Sequence, residues 1–260
     1  MFGKKSLGQN FLIDKNIIKK IVNLVKIKDK DIIEIGPGYG ALTDEILKKK
    51  PKQVNIIEKD ISLYKELKTK YSNFQNLKIY NNDILDFDLE KIVKKNTIIF
   101  GNLPYNISSQ ILVKILRFKK WPPNFKNLIF MFQKELGEKI LGKYLSRNYG
   151  RLSILSSFRL KLVDKFLVSQ NCFSPRPKVV SMVILFKPKQ NRLYKIKNLL
   201  SLEKVTNILF SKKRKMINKS LKKILKKSQI ESIKGLKLNL RPSEIKPGSY
   251  YKITELFEKN

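Results

Sequence analysis

The apolar residues of the first 190 positions follow two alternating patterns. Short β-branched and aromatic runs, typical of buried strands, are separated by stretches in which apolar residues have helical spacing. The runs predict strands near residues 31–35, 54–58, 77–80, 97–100, 127–132, 162–168 and 179–186. Because strands alternate with helices, the pattern predicts an α/β fold whose parallel sheet carries helices on both faces.

The helical stretches are marked by their start signals and their spacing. Asp14 is a good N-cap for a helix with inward positions at Ile17, Ile18 and Ile21. Further helices are predicted through Leu42 and Ile46, through Leu63 and Leu67, from Ser108 to Phe118, from Lys134 to about Leu145, and after Gly150. The segment that precedes Asp14 lacks periodicity, and we expect it to be an arm held against the body of the protein.

The pattern of apolar and polar residues changes from about Lys189, and no further strand is predicted after this point. The spacing of apolar residues predicts a helix from Ser201 to Ser228, and lysines crowd this region between residues 212 and 227 without an intervening acid. We therefore expect two domains, residues 1–188 and a small helical domain of residues 189–260 with a basic surface. The alternative is a solvated face on a lysine-rich chain.

Charge is the strongest compositional signal. The 260 residues include 56 Lys and Arg against 21 Asp and Glu, a formal net charge of +35 that indicates a polyanionic partner. Nucleic acid is the favoured partner and an anionic membrane surface the alternative, although no amphipathic anchor supports a membrane. No apolar run reaches the length of a membrane span, and no signal-type stretch follows the basic N-terminus, so we expect a soluble cytoplasmic protein.

Two residue counts exclude whole classes of chemistry. The sequence has no histidine, which rules out histidine-based triads, histidine-ligated zinc and imidazole general bases. Its one cysteine, Cys172, allows no internal disulfide. We expect no metal site.

A short loop, Asn102-Leu103-Pro104-Tyr105, follows the predicted strand that ends at Gly101. The Asn102 side chain and the Leu103 and Pro104 carbonyls can accept hydrogen bonds from an exocyclic amine, and Tyr105 can stack on a ring. The loop therefore suits a planar ligand that contains nitrogen. The alternative is an ordinary strand-to-helix turn.

Other candidate residues follow the preceding strands. A turn with Gly36, Gly38 and Gly40 allows close approach of a ligand, but its spacing and Pro37 do not fit the pyrophosphate fingerprint of dinucleotide sites. Glu58 ends the second strand and can accept hydrogen bonds from ribose hydroxyls; Asp83, after the third, can accept from an adenine amino group. Because the carboxyl ends of parallel strands share one edge of the sheet, these groups are expected to meet there.

Together these segments resemble the S-adenosylmethionine-dependent ribosomal RNA adenine dimethyltransferases, in the bacterial form that acts on the small subunit. The resemblance covers nearly the whole chain and rests on these segments: residues 8–12, 34–38, 81–83, 102–105, 133–135, 149–153, 173–181 and 210–215. It implies a Rossmann-like class I methyltransferase sheet, mostly parallel with a C-terminal antiparallel strand, plus a small all-α C-terminal domain. It also implies that the chain acts as a monomer on small-subunit rRNA within an immature 30S particle.

Residue roles follow from the same resemblance. It implies that S-adenosylmethionine is bound by Asn10, Leu12, Gly36, Gly38, Glu58, Asp83 and Asn102. It further implies that the target adenine is held by Asn102, Leu103, Pro104, Tyr105 and Phe173. Two alternatives remain open: an adenine methyltransferase acting on large-subunit rRNA or on DNA, and a ribosome-assembly factor with a vestigial cofactor site.

Overall fold

The computed structural model of the chain describes residues 10–190 and 193–260, so the predicted arm up to residue 9 lies outside it. Its strands are β1 (Phe11–Leu12), β2 (Asp31–Ile35), β3 (Gln53–Glu58), β4 (Leu77–Asn81), β5 (Thr97–Asn102), β6 (Phe125–Gln133), β7 (Leu160–Val168), β8 (Phe173–Ser174) and β9 (Ser181–Pro188). Its α-helices are α1 (Lys15–Val22), α2 (Ala41–Lys48), α3 (Ile61–Lys70), α4 (Ser108–Leu116), α5 (Lys134–Ile140), α6 (Arg151–Arg159), α7 (Leu199–Phe210), α8 (Asn218–Leu221), α9 (Lys227–Glu231) and α10 (Pro247–Phe257). Within these ranges no helix is long and apolar enough to cross a membrane.

Seven of the described strands form one sheet in the order β4-β3-β2-β5-β6-β9-β7. The pairs from β4 to β6 are parallel, and β9 runs antiparallel to β6. The predicted α/β fold with a mostly parallel sheet is therefore confirmed, including the late antiparallel strand.

The central strands are apolar on both faces, as expected for a sheet covered on both sides. Ile32, Ile33 and Ile35 of β2 are buried, and Phe100 of β5 and Phe130 of β6 are fully buried. Burial of these runs fixes the register, because a shift by one residue would exchange the two faces of every strand. The polar residues that follow the strands are therefore carried to defined places at one edge of the sheet.

The described end of the arm is fixed beside α1. Asp14 caps this helix as predicted, since its Oδ1 accepts hydrogen bonds from the N–H groups of Asn16 (2.8 Å) and Ile17 (2.9 Å). Strand β1 pairs antiparallel with β8, which joins Leu12 to Phe173 in a separate two-stranded sheet.

The chain groups into two compact units. One contains the described residues up to 115 together with 122–137 and 161–188; the other contains 116–121, 138–160 and the described residues from 189 to 260. Segments 116–121 and 138–160 thus group with the C-terminal residues. The assignment of two domains with the roles expected from the sequence stays a prediction.

In the second unit, α7 packs against α6 and α10. Two tyrosine hydroxyls, one before α6 and one in α10, donate to backbone carbonyls that precede α10: Tyr149 to Ile245 (2.8 Å) and Tyr250 to Pro242 (2.7 Å). Arg117 forms a bidentate ion pair with Glu203 of α7. Residues 193–260 are helical and contain no strand, as expected.

Two predicted helices are shorter than expected. The helix predicted from Ser201 to Ser228 is wrong, because α7 ends at Phe210 and the rest of this range contains only the short α8 and the start of α9. The intervening residues 212–215 are all cationic, so they supply no apolar face and repel one another. The helix predicted to reach about Leu145 ends at Ile140, and Leu145 has a left-handed φ of 65° that a helix does not allow.

Candidate active site

A cavity of roughly 260 Å³ opens at the carboxyl ends of β2, β3 and β5. The predicted residues that line it are Asn10, Leu12, Gly36, Gly38, Glu58, Asp83, Asn102, Leu103, Pro104 and Tyr105. Apolar side chains, including Ile57 and Ile84, form part of the wall. The structure thus brings together ten of the eleven residues that sequence reasoning singled out.

Phe173 is the exception. Its side chain is 3% exposed and belongs to the hydrophobic core, because β8 pairs with β1 there. It does not line the cavity, and its ring offers no face for stacking in this structure. Its contact with adenine stays a prediction.

The glycine-rich turn forms the floor of the cavity. Gly38 has a left-handed φ of 58°, and a Cβ added to it would lie 2.7 Å from Cδ1 of Phe11. No other residue type combines this backbone conformation with this close approach at low cost. Phe11 also meets Tyr39 edge-on, with ring centroids 4.6 Å apart, so the arm and the turn support each other.

The end of α3 holds this turn from behind, a contact that sequence reasoning missed. The single hydrogen of the Tyr71 hydroxyl is shared between two acceptors, Oδ1 of Asp44 (2.7 Å) and the Gly40 carbonyl (3.1 Å). Lys70 Nζ donates to Oδ2 of Asp44 (2.6 Å) and to the Tyr39 carbonyl (3.0 Å). Helical spacing after Leu67 signals that Tyr71 faces inward, but nothing in the sequence indicates where its hydroxyl binds.

Glu34, at the end of β2, is a second group whose role the sequence did not indicate. Its carboxylate is buried beside the cavity and accepts a hydrogen bond from the Thr43 hydroxyl (2.6 Å). Burial raises the pKa of Glu34 to about 7, against the opposing effect of the Thr43 hydrogen bond. The group therefore exchanges its proton near neutral pH.

Glu58 lies at the end of β3 with its carboxylate largely buried. Burial raises its pKa, while hydrogen bonds from the backbone N–H groups of Asp60 and Gly38 oppose the rise. The Asp60 N–H lies 2.8 Å from Oε1. A carboxylate held in this way can accept further hydrogen bonds from hydroxyl groups in the cavity.

Asp83 is held by two donors at the cavity rim. Its Oδ1 accepts from the Leu85 N–H (2.8 Å), and Oδ2 pairs with Lys59 Nζ (2.7 Å). Partial burial would raise its pKa, but these hydrogen bonds and the Lys59 charge bring it below its ordinary value. Asp83 is therefore an acceptor at neutral pH, and each oxygen retains a second lone pair.

The Asn102–Tyr105 loop closes the other side. Asn102 Nδ2 donates to the Asn10 carbonyl (3.2 Å), which orients the amide so that Oδ1 is the atom that can accept from a ligand. The Pro104 carbonyl accepts from the Ile107 N–H (3.2 Å), and its second lone pair can still accept from a ligand. Tyr105 is partly buried, and its hydroxyl is hydrogen-bonded to Ser181 Oγ (2.5 Å).

Comparisons with known proteins agree on one family. The family model for ribosomal RNA adenine dimethylase matches residues 2–259. Ribosomal RNA small subunit methyltransferase A of Pelagibacter ubique is 44% identical, with 98% of this chain and 97% of the relative covered. The protein of the same name from Malacoplasma penetrans is 38% identical, with 97% and 91% covered.

Solved structures show the same fold. A dimethyladenosine transferase from Plasmodium falciparum superposes with a TM-score of 0.77 at 27% identity, covering 96% of this chain and 98% of the other. The 23S rRNA methyltransferase ErmE superposes with a TM-score of 0.70 at 24% identity, covering 96% and 100%, and this likeness concerns the fold alone.

Proposed function

We propose that this chain, which belongs to the ribosomal RNA adenine dimethylase family, dimethylates N6 of two adjacent adenines near the 3′ end of small-subunit (16S) rRNA. The chain is an rRNA adenine dimethyltransferase, and S-adenosylmethionine is its methyl donor. Its action on the small subunit is supported by the names of its 38–44% identical relatives.

The observation that carries the residue assignment is the shared cavity. The Asn102–Tyr105 loop, which suits an aromatic amine, opens into the same space as Glu58 and Asp83, which suit a nucleoside. A donor nucleoside and an acceptor base can therefore meet at one place. Separate functions for the two groups of residues would not require this arrangement.

The cavity fits the cofactor in its chemistry. We assign Glu58 to the ribose hydroxyls and Asp83 to the adenine amino group of the cofactor. The turn at Gly36 and Gly38 allows the backbone to approach the cofactor closely. The Cβ clash at Gly38 shows how little room the turn leaves for a side chain. When bound, S-adenosylmethionine supplies an electrophilic methyl group on a sulfonium centre.

The residues of the loop activate the acceptor by hydrogen bonding. The lone pair of the adenine amino nitrogen is delocalised into the ring, so the amine is a poor nucleophile. Asn102 Oδ1 and the Leu103 carbonyl, or the second lone pair of the Pro104 carbonyl, accept its hydrogens and return electron density to nitrogen. Positioning and fixed dipoles do most of this work, consistent with a chain that has no histidine base.

The charge of the chain supports an rRNA substrate. A net charge of +35 favours a polyanion through counterion release, whichever surface meets it. We assign the chain to the immature 30S particle as a monomer acting in the cytoplasm. The lysine-rich residues 212–227 are proposed as one of its RNA contacts.

The alternatives from the sequence are not favoured. The likeness to the 23S enzyme ErmE reaches 24% identity, below that of the small-subunit relatives. An assembly factor with a vestigial cofactor site would have no need to keep the Glu58, Asp83 and Asn102 constellation around one cavity.

Replacement of Asn102 by alanine tests the loop assignment. We expect the single-turnover rate of methyl transfer to fall roughly 100-fold, as for other preorganised acceptors or donors. Asn73→Ala, an exposed asparagine outside the cavity, is the matched control and keeps the wild-type rate. An unchanged rate for Asn102→Ala would refute the role of its amide.

A further inference from the structure

A hydrogen bond joins the substrate loop to a distant strand. The hydroxyl of Tyr105, in the loop that lines the cavity, lies 2.5 Å from Oγ of Ser181, 76 residues later in the chain. Tyr105 is partly buried, and Ser181 has no exposed surface. Ser181 itself does not line the cavity.

Ser181 is fixed by the sheet. It is the first residue of β9 and pairs with Gln133 of β6, and the adjacent Val180 carbonyl accepts from the Lys134 N–H (2.9 Å). Its hydroxyl is therefore a rigid anchor inside the protein. A ring bonded to this anchor has a defined position relative to the sheet.

Two other hydrogen bonds of the loop hold its backbone and not the Tyr105 ring. The Tyr105 carbonyl accepts from the Ser108 hydroxyl (3.2 Å), and the Pro104 carbonyl from the Ile107 N–H (3.2 Å). Neither contact restrains rotation of the tyrosine side chain about its own bonds. The bond to Ser181 holds the far end of the ring.

The chemistry of the phenol agrees with an anchoring role. Burial raises the pKa of Tyr105, so its hydroxyl stays protonated and is no base at neutral pH. The hydroxyl is used in the bond to Ser181, and what Tyr105 can present to a flipped base is a ring face.

We infer that Ser181 is a positioning residue for methyl transfer, which fixes the Tyr105 ring at the angle needed to stack on the target adenine. The inference rests on the proposed function and adds a residue that acts only through Tyr105. Ser181 touches neither substrate nor cofactor.

Ser181→Ala and Tyr105→Phe each remove one partner of this bond and keep an aromatic ring at position 105. We expect each variant to lower kcat/KM for unmethylated small subunits about three- to tenfold, the loss expected for one hydrogen bond that orients a reacting group. The affinity for S-adenosylmethionine, measured by calorimetry, stays at the wild-type value because Ser181 does not line the cavity and the Tyr105 hydroxyl is bonded to Ser181.

The double variant separates positioning from general damage. If the bond is the cause, Ser181→Ala/Tyr105→Phe is no slower than either single variant. Ser181→Thr, which keeps the hydroxyl, restores most of the activity. Ser156→Ala is the matched control: this serine is also buried, but its hydroxyl has no hydrogen-bond partner among the described residues, so the wild-type rate is expected.

Three results would overturn the inference: wild-type kinetics for Ser181→Ala, additive losses in the double variant, or a cofactor affinity that falls with the rate. Thermal unfolding shows whether each variant is folded. If Ser181→Ala does not fold, the kinetics of Tyr105→Phe test the inference. No methyl transfer by the wild type would contradict the proposed function itself. Transfer by the wild type with an unaffected Ser181→Ala contradicts only the role of Ser181.

Discussion

Replacing Gly38 by alanine tests whether the glycine turn and the arm form one cofactor-binding surface. The new Cβ would lie 2.7 Å and 2.9 Å from two carbons of the Phe11 ring, closer than real Cβ contacts allow. The Phe11 ring, which itself lines the cavity, has to move. The substitution therefore disturbs the cofactor wall as well as the turn.

The cost has two parts that a second glycine separates. Gly235 has a similar left-handed φ of 74° but no atom within 4 Å of an added Cβ, so Gly235→Ala carries only the conformational penalty of about 1–2 kcal/mol. Gly38→Ala adds overpacking against Phe11, about 1–3 kcal/mol more. We expect a total loss of about 2–5 kcal/mol in the free energy of unfolding.

Urea unfolding measures the two losses, and calorimetry measures binding of S-adenosylmethionine. We expect Gly38→Ala to bind the cofactor at least tenfold more weakly, because a loss of about 1.4 kcal/mol in binding free energy from the displaced wall already gives this factor. Gly235→Ala is expected to bind the cofactor normally. Equal losses of stability in the two variants, together with unchanged cofactor affinity in Gly38→Ala, would refute the reasoning.

Two further predictions concern groups behind the cavity. Burial raises the folded-state pKa of Glu34 from 4.5 to about 7. Between these pH values the unfolded chain loses this proton more readily than the folded protein, so the free energy of unfolding falls as pH rises. Glu34→Gln removes this loss, so its advantage over the wild type in urea unfolding grows by about 3 kcal/mol between pH 4.5 and pH 8; an advantage independent of pH would contradict the assignment. Tyr71→Phe removes the hydrogen bonds to Asp44 and Gly40, and we expect S-adenosylmethionine to bind about three- to tenfold more weakly with kcat at saturation unchanged. Calorimetry and steady-state kinetics check this split, and a lower kcat at unchanged affinity would count against it.

The sheet and most of the site could be predicted from the sequence for a simple reason. Buried parallel strands read as apolar runs, and whatever follows them must lie at one edge of the sheet. Glu58 and Asn102 each lie at the end of such a run, and Asp83 lies two residues beyond the third strand, so strand order was enough to bring them together.

The rest depends on contacts between distant residues. The Tyr71 hydroxyl binds a carbonyl 31 residues away, and the Tyr105 hydroxyl binds Ser181, pairings that no local pattern encodes. Phe173 is an aromatic residue in a matching segment, yet the pairing of β8 with β1 buries it. The prediction of a long basic helix was wrong because apolar spacing continues on both sides of residues 212–215, while these four cations themselves supply no apolar face. In a helix, Lys212 and Lys215 would be neighbours of like charge.

One measurement tests the central claim most directly. Unmethylated small ribosomal subunits are incubated with the chain and tritiated S-adenosylmethionine. The digested rRNA is analysed for labelled nucleosides, and primer extension on undigested rRNA maps the methylated adenines. We expect label in N6,N6-dimethyladenosine from two adjacent adenines near the 3′ end of the small-subunit rRNA. Parallel reactions contain large ribosomal subunits or DNA as the only substrate. Transfer to either of these without transfer to small subunits, or the absence of any transfer, would contradict the account.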